Sequence, residues 1–188
     1  MNNSILNFKD IHKDNDIYVV AAGKSLDFVS NDFFNNKITI GINQIYKKFT
    51  TTYLVRKEHQ LLENILKNKS LDTIHFVSVG NAGNNNSLNL NFIVKNFKYN
   101  KNIVLYNHDR NVLDLNNLPS DNKLIVSYST ITTGIHLAAY MGAKNIILVG
   151  HDCGTLNGEP NFEGYHNDST YKIAWRNGKY DYINWLKK

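Results

Sequence analysis

The first residues able to do chemistry stand in a short turn that follows a strand-like apolar run. Ile17–Ala21 is rich in β-branched residues, and it is followed by Gly23, Lys24 and Ser25. A glycine lets the backbone approach a ligand, and the N–H groups of a helix that starts there attract anions. The turn therefore predicts a phosphate contact, with an ordinary strand-to-helix turn as the alternative. It is not a P-loop, because the glycine required five residues before Gly23 is replaced by Tyr18.

A second segment, Ser127–Asp152, predicts a loop, a helix, a glycine turn and a buried strand. Thr132, Thr133 and Gly134 stand near the start of the helix and offer two hydroxyls and a close backbone approach. The strand, Ile146–Val149, is a continuous apolar run of the kind found inside parallel sheets. Ligands of open α/β folds bind beyond the carboxyl ends of such strands. We therefore expect both segments to contact one ligand.

Two polar residues follow predicted strands and could contact that ligand directly. Asn43 comes after Ile38–Ile42, and its amide can both donate to and accept from a base or a ribose. Asp152 follows Ile146–Val149 and could bind ribose hydroxyls, a magnesium ion or a substrate proton. The alternatives are structural: a turn-stabilising Asn, and a carboxylate that caps a helix or closes a turn.

A cluster of metal-ligand residue types surrounds the end of the last strand: His151, Asp152, Cys153 and His166. Successive residues of a strand point to opposite faces, so we expect His151 and Asp152 not to share one ion. We predict no structural metal, and favour a Mg²⁺ held mainly by substrate phosphates and one carboxylate. Cys153 has no adjacent base that the sequence identifies, so we do not expect it to be a nucleophile.

Apolar runs alternate with amphipathic or turn-forming stretches along the chain. The predicted strands are Ile17–Ala21, Ile38–Ile42, Tyr53–Arg56, Ile74–Val79, Ile103–Tyr106 and Asn145–Gly150. The predicted helices are His59–Leu66, Ile131–Met141 with Gly142 at its end, and one or two within Tyr171–Lys188. Strands that alternate with helices indicate a mostly parallel sheet flanked by helices. We therefore expect one Rossmann-like α/β domain over residues 1–188.

Composition narrows the classes of function. The 188 residues are 42% hydrophobic, enough for one globular core, and the single cysteine excludes an internal disulfide. The net charge of +5 comes from scattered lysines without an arginine and aromatic stripe, so we expect no nucleic-acid partner. No stretch approaches the roughly 18 apolar residues of a membrane span, and no secretory signal is visible. We expect a cytoplasmic protein without an integral membrane segment, and homo-oligomerisation stays open.

Three stretches together resemble the MptE-like (DUF115) family: VVAAGKSL at 19–26, GINQIY at 41–46 and ITTGIHLAAYMGAKNIILVGHD at 131–152. That family is related to the bacterial sialyltransferases of glycosyltransferase family 42 and to motility accessory factors. The resemblance implies a Rossmann-like nucleotide-binding domain. Members include a pterin diphosphokinase that uses ATP and transferases that use CMP-sugars.

The resemblance also implies roles for individual residues. Nucleotide-contacting positions of the family match Gly23, Ser25, Asn43, Thr132, Thr133 and Gly134. Asp152 matches the acidic residue that closes the last strand. Tyr165 could replace the tyrosines that contact the phosphate in sialyltransferases, and His166 is the nearest counterpart of their general base. Both stand at the end of a Gly- and Asn-rich loop, Gly154–Tyr165, which could close over a ligand.

Three functions remain open on the sequence. The first is a nucleotide-sugar glycosyltransferase of the surface-glycan type, with a CMP-sugar-like donor and a small-molecule or glycan acceptor. The second is an MptE-like pterin diphosphokinase that uses ATP and magnesium, with Asp152 on the metal. The third is a non-catalytic nucleotide-binding module that works with a partner protein. The absence of the longer lid region of the sialyltransferases favours this third function.

Overall fold

The computed structural model describes residues 4–56, 72–78, 101–109, 123–125 and 129–165. The strands are β1 (Asp16–Val20), β2 (Ile38–Ile42), β3 (Tyr53–Arg56), β4 (Ile74–Ser78), β5 (Ile103–Asp109), β6 (Lys123–Ile125) and β7 (Asn145–Val149). The other described elements are one α-helix, α1 (Thr130–Tyr140), and three 3₁₀ helices, η1 (Ile5–Phe8), η2 (Lys24–Phe28) and η3 (Ile45–Lys47).

The seven strands form one sheet in the order β6-β5-β4-β3-β2-β1-β7. Every neighbouring pair is parallel. Parallel sheets require crossover connections and are covered on both faces, which explains the continuous apolar runs of the strands. The predicted α/β class with a Rossmann-like parallel sheet is confirmed, and α1 flanks that sheet.

The order of the strands reverses at β1. The chain moves from β1 to β2 and β3 in one direction, and β7 then returns to the other side of β1. η2 and η3 pack on one face of the sheet, whereas α1 packs on the opposite face. Connections of one hand that run in opposite directions must cross opposite faces. A crevice therefore opens at the carboxyl ends of β1 and β7, the usual position of a ligand in such folds.

The core consists of two layers, one on each face of the sheet. Val19 and Val55 point to the α1 side, where they meet Leu137 of the helix. Val20 and Leu54 point to the other side and join a cluster with residues of η2 and η3. All four strand residues are fully buried, and removal of each such side chain from water stabilises the fold by roughly 1.5–3 kcal/mol. Successive side chains of one strand thus hold both layers in place.

α1 lies close against the sheet because Gly134 has no side chain. A Cβ atom at Gly134 would come within 2.7 Å of Ile42 Cδ1 and 3.0 Å of Val19 Cγ1. The helix ends where Gly142 adopts a φ of 84° and its N–H donates to the carbonyl of Ala139 at 3.0 Å. Such a glycine end is a common way to satisfy the last carbonyls of a helix. Gly142 therefore ends the helix as the sequence indicated.

Some elements differ from the sequence prediction. β6 was not predicted, because three residues are too few to show a periodic pattern. β5 continues to Asp109, three residues beyond the predicted Ile103–Tyr106. The predicted helix His59–Leu66 and the tail Tyr171–Lys188 lie outside the described residues. Among the residues that are described, no helix is long and apolar enough to cross a membrane.

Candidate functional site

A cavity of about 190 Å³ lies at the carboxyl end of the sheet, beside the reversal of strand order. It is lined by five parts of the chain: 21–23 after β1, 42–43 after β2, 129–131 at the start of α1, 150–154 after β7, and 160, 161 and 165. Ligand sites for drug-sized molecules measure roughly 300–1,000 Å³. The cavity therefore encloses one part of such a ligand, for example a phosphate or a sugar.

The turn after β1 packs directly against the end of β7. The N–H of Gly23 donates to the carbonyl of Gly150 at 2.7 Å. A Cβ atom at Gly23 would lie 2.5 Å from that carbonyl oxygen and 2.5 Å from Asp152 Cγ. Gly150 itself has a φ of 68°, a left-handed conformation that glycine adopts without strain. Both glycines are therefore explained by the contact between the two segments.

Asp152 binds Ser25 through both oxygens of its carboxylate. The backbone N–H of Ser25 donates to Oδ2 at 2.8 Å, and the Ser25 hydroxyl donates to Oδ1. A carboxylate at this position satisfies N–H groups at the start of η2, as a helix-capping side chain does. The donors predicted to bind a phosphate are thus already occupied by a negatively charged side chain.

Lys24 also points to a partner within the protein. Its ammonium lies 2.8 Å from Asp27, and Lys48 contacts the same carboxylate at 2.6 Å. Burial raises the pKa of Asp27, but hydrogen bonds from Lys24, Lys48 and the N–H of Glu163 outweigh it and lower the pKa below its usual value. Lys24 is not among the residues that line the cavity. No observation tests the predicted contact between Lys24 and a ligand, and this contact stays a prediction.

The start of α1 faces the cavity at Ser129, Thr130 and Ile131. Ser129 precedes the helix in an extended conformation, with φ −130° and ψ 145°, and its side chain makes no capping hydrogen bond. The first N–H groups of a helix have no acceptor within the helix, and the helix dipole makes this end electropositive. The α1 residues that line the cavity, 129–131, therefore come directly before the predicted Thr132–Gly134 element.

Thr132, Thr133 and Gly134 lie behind the cavity wall. Both the N–H and the hydroxyl of Thr132 donate to the carbonyl of Ser129, at 3.1 and 2.6 Å. Thr133 is fully buried, and its hydroxyl has no hydrogen-bond partner within the described chain. Gly134 is needed for the approach of α1 to the sheet. Thr132 thus supports the helix start, Gly134 supports the packing of α1 on the sheet, and none of the three residues lines the cavity.

Asn43 lines the cavity at the end of β2. Its φ of 53° is left-handed, and its N–H donates to the carbonyl of Val55 at 2.9 Å. Its side-chain Oδ1 is buried and has no hydrogen-bond partner among the described residues. A buried polar atom without a partner costs roughly 1–3 kcal/mol, so a ligand donor at this position would be favourable. Asn43 is the predicted site residue with the clearest unused hydrogen-bonding capacity.

His151 and Cys153 form a pair on the cavity wall that the sequence prediction missed. The Cys153 Sγ lies 3.4 Å from His151 Nε2. The chain turns through a left-handed φ of 54° at Cys153, which brings a thiol and an imidazole two positions apart to one side. Burial lowers the pKa of His151, and the nearby Asp152 carboxylate offsets part of that effect. Contrary to the sequence reasoning, Cys153 does have an adjacent proton acceptor.

The segment 160–165 contributes residues 160, 161 and 165 to the cavity lining, and it is attached to the end of β1 and to η3. The Asn161 side chain and the Phe162 N–H both donate to the carbonyl of Ala22, at 3.0 and 3.2 Å. Lys47 Nζ donates to the carbonyl of Tyr165 at 2.7 Å. Phe162 and Tyr165 are buried and pack edge to face, with ring centroids 5.2 Å apart. The predicted ligand-covering loop is therefore anchored at its end.

The cavity brings together Gly23, Asn43, Asp152 and Tyr165 of the predicted site residues. Ser25 reaches the same region through its bond to Asp152. His166 lies outside the described residues. Within the described ranges, no group of three His, Cys, Asp or Glu side chains is placed to hold a metal ion.

No protein-family description matches the chain, and no curated protein matches it.

Proposed function

We propose that the cavity binds a nucleotide and that the protein is a nucleotide-dependent transferase. The leading candidate is a glycosyltransferase of the surface-glycan type with a CMP-sugar-like donor, as the resemblance to the MptE-like and sialyltransferase families implies. A glycan or small-molecule acceptor and a cytoplasmic location belong to the same proposal.

One observation carries this proposal: three kinds of nucleotide-compatible group meet at the reversal of strand order. The first turn of α1 offers N–H groups at 129–131, the turn at Gly23 brings backbone close to the cavity, and Asn43 offers a buried acceptor. Helix starts favour phosphate, and strand-order reversals are the usual ligand positions of open α/β sheets. The combination suits a ligand with one anionic part and one hydrogen-bonding part.

The contacts already made within the protein suggest where each part of the nucleotide lies. The Ser25 donors are engaged by Asp152, so we assign the phosphate to the start of α1. The Asn43 Oδ1 needs a donor, which an exocyclic amine of a base or a ribose hydroxyl can supply. We therefore propose that the phosphate contacts the start of α1 and not the Gly23 turn.

The proposed transfer needs a proton acceptor and stabilisation of the leaving group. His166 takes the proton of the acceptor hydroxyl, whose oxygen then bonds to the anomeric carbon of the donor. The bond between that carbon and the phosphate oxygen breaks, and its electron pair leaves with the nucleotide. Tyr165, on the cavity wall, and the N–H groups of α1 stabilise the phosphate charge.

The ATP-dependent diphosphokinase is the second candidate. It would use Asp152 as a carboxylate ligand for Mg²⁺. Both oxygens of this carboxylate already accept hydrogen bonds from Ser25, which leaves fewer free lone pairs for a metal. We therefore rank this function below the glycosyltransferase. A nucleotide-binding module without its own chemistry would use the same cavity and differ only in turnover.

Thermal denaturation with CMP, UDP, GDP and ATP, each with and without Mg²⁺, tests the proposal. A ligand that binds only the folded state raises the melting temperature, by an amount set by its concentration relative to Kd. We expect CMP to stabilise the protein without a requirement for Mg²⁺. A shift seen only with ATP and Mg²⁺ would favour the diphosphokinase. No shift with any of the four would refute the nucleotide site.

The position of the nucleotide can be checked with the single cysteine of the chain. Cys153 lines the cavity, so bound nucleotide should slow its alkylation by iodoacetamide. Alkylation in urea, where the cavity is lost, is the control for direct effects of the nucleotide on the reagent. Stabilisation without protection of Cys153 would place the nucleotide elsewhere.

A further inference from the structure

β7 is the edge strand of the described sheet, with β1 on one side and no described strand on the other. The carbonyl of Val149 accepts from the N–H of Ala21 at 2.9 Å, so the backbone groups of Val149 point toward β1. Backbone direction alternates along a strand, and Ile147 therefore also points toward β1. Ile146 and Leu148 consequently direct their N–H and carbonyl groups outward.

The side chains of this edge are apolar on both faces. The strand Asn145–Val149 contains no charged residue and no proline. Leu148 is 43% exposed on the α1 face, and Ile147 is partly exposed on the opposite face. Phe33, 40% exposed, packs against Tyr18, the β1 neighbour of Ile147, and extends the apolar surface there. Edge strands usually carry lysine, proline or a bulge that prevents pairing, and β7 carries none of these within its length.

We propose that β7 pairs with β7 of a second copy of this chain, antiparallel, about a two-fold axis through Ile147. This register places Ile146 of each copy opposite Leu148 of the other. Those are the residues whose backbone groups point outward, so the two chains exchange four hydrogen bonds. The two sheets then continue into each other across the axis.

The same register matches side chains as well as backbone. Leu148 of one copy packs against Ile146 of the other on the α1 face, and the two Ile147 side chains meet on the opposite face. Opposed apolar side chains in antiparallel strands stabilise their pairing. A two-fold interface must be self-complementary, and this five-residue strand meets that condition about its central residue.

Charge also favours a second copy in the antiparallel direction. Lys144 stands before the strand and is exposed, and Asp152 stands three residues after its end. Antiparallel pairing places Lys144 of the second copy opposite Gly150, close to the Asp152 end, whereas parallel pairing would place the two Lys144 residues side by side. Gly150 and Asp152 line the cavity, so the second copy contributes a cation at the cavity rim.

Sedimentation equilibrium of the full chain tests the interface. We expect a mass of twice 21.6 kDa for the wild type. Leu148→Lys places a charge on the apolar edge and should give a monomer. Leu6→Lys makes the same substitution at an exposed leucine of η1, 51% exposed and distant in sequence, and should leave the dimer intact. A wild type that stays monomeric at roughly 100 μM, where a Kd of about 1 μM would give mostly dimer, would overturn the proposal.

Disulfide cross-linking tests the register independently of folding effects at Leu148. In a Cys153→Ser background, Ile147→Cys places two thiols directly opposite each other on the two-fold axis. Asn145→Cys is the matched control, because its two copies lie about 13 Å apart along the strands, too far for a disulfide. We expect oxidation to yield a covalent dimer for Ile147→Cys alone. A dimer in solution that does not cross-link at position 147, or that persists in Leu148→Lys, would show that another surface is used.

Discussion

Two hydrogen bonds join Ser25 to the carboxylate of Asp152, although the two residues are 127 positions apart in sequence. The bonds fix the turn after β1 to the end of β7, the two strands between which the crevice opens. A carboxylate thereby occupies the donors where a phosphate was predicted to bind. The two hydrogen bonds give Asp152 a structural role, which is to connect these two segments.

Removal of this carboxylate should destabilise the protein. Hydrogen bonds to charged groups contribute roughly 1.5–3 kcal/mol, so we expect Asp152→Ala to lower the free energy of unfolding by about that amount. Asp152→Asn keeps one acceptor and should lose less. Urea denaturation of Asp152→Ala, Ser25→Ala and the double variant gives the coupling energy. Additive losses in the double variant would contradict a direct interaction.

Gly23→Ala should be far more destabilising than Gly154→Ala. The new Cβ at Gly23 meets Asp152 Cγ and the Gly150 carbonyl at 2.5 Å, whereas at Gly154 the nearest atom is 4.0 Å away. Overpacking of this kind costs roughly 1–3 kcal/mol. Both substitutions restrict the unfolded chain alike, so their difference in urea denaturation isolates the contact. Equal stability of the two variants would mean that the turn moves away from β7 at little cost.

Asn43→Gly should reduce nucleotide affinity while it leaves the fold intact. Glycine adopts the left-handed φ of 53° without strain, so only the side-chain amide is lost. One hydrogen bond of roughly 0.5–1.5 kcal/mol corresponds to about a 2–12-fold weaker Kd. Calorimetric titration measures affinity, and urea denaturation measures stability. Asn43→Ala is the contrasting variant, since it adds backbone strain to the same loss. Unchanged affinity in Asn43→Gly would remove this side chain from the nucleotide site.

His75 should make the protein sensitive to acid. Burial, and to a lesser degree the charge of Arg56, lowers the pKa of His75 from 6.5 to about 4. Between these values the unfolded chain binds more protons than the folded chain, so stability falls as the pH drops from 6.5 toward 4. The full effect is about 3 kcal/mol. Urea denaturation at pH 7 and 4.5 should show a smaller loss in His75→Gln than in the wild type. Identical losses would contradict the lowered pKa.

His166→Ala tests the proposed chemistry. Loss of a positioned general base typically reduces turnover by roughly 10²–10⁴-fold. Nucleotide affinity should remain nearly unchanged, because the proposed phosphate and base contacts lie on α1 and Asn43. Steady-state kinetics and calorimetry on one substrate pair separate the two effects. Unchanged turnover would exclude His166 from the mechanism, and equal losses in binding and rate would make it a binding or structural residue.

The sheet could be predicted from the sequence because its strands are buried on both faces. Runs such as Ile38–Ile42 and Ile146–Val149 stay apolar without interruption, and such runs are typical of parallel sheets. β6 lacked this signal because it has three residues. The helix expected after Gly23 is the five-residue 3₁₀ helix η2, a distinction that hydrophobic pattern does not make.

The site was predictable in its location but less so in its contacts. Parallel strands end at one edge, which is why Asn43 and Asp152 meet at the cavity. Asp152 and Ser25 pair only because β7 lies beside β1, and strand order is not encoded in local pattern. Which residues of α1 face the ligand depends on the rotation of the helix, and Gly134 fixes that rotation against the sheet. The residues before the predicted element, at 129–131, therefore reach the cavity.

The position of β7 beside β1 has a consequence for synthesis on the ribosome. β1 is completed early, but its second neighbour begins only at Asn145. At roughly 5–20 residues per second, the ribosome needs about 6–25 s to reach that strand. During this interval the nascent chain exposes the edge of β1, and the segments that follow β1 and β7 cannot yet come together to form the crevice. The cavity therefore forms late in translation, and a ligand can stabilise the chain only after nearly the whole described sheet has emerged.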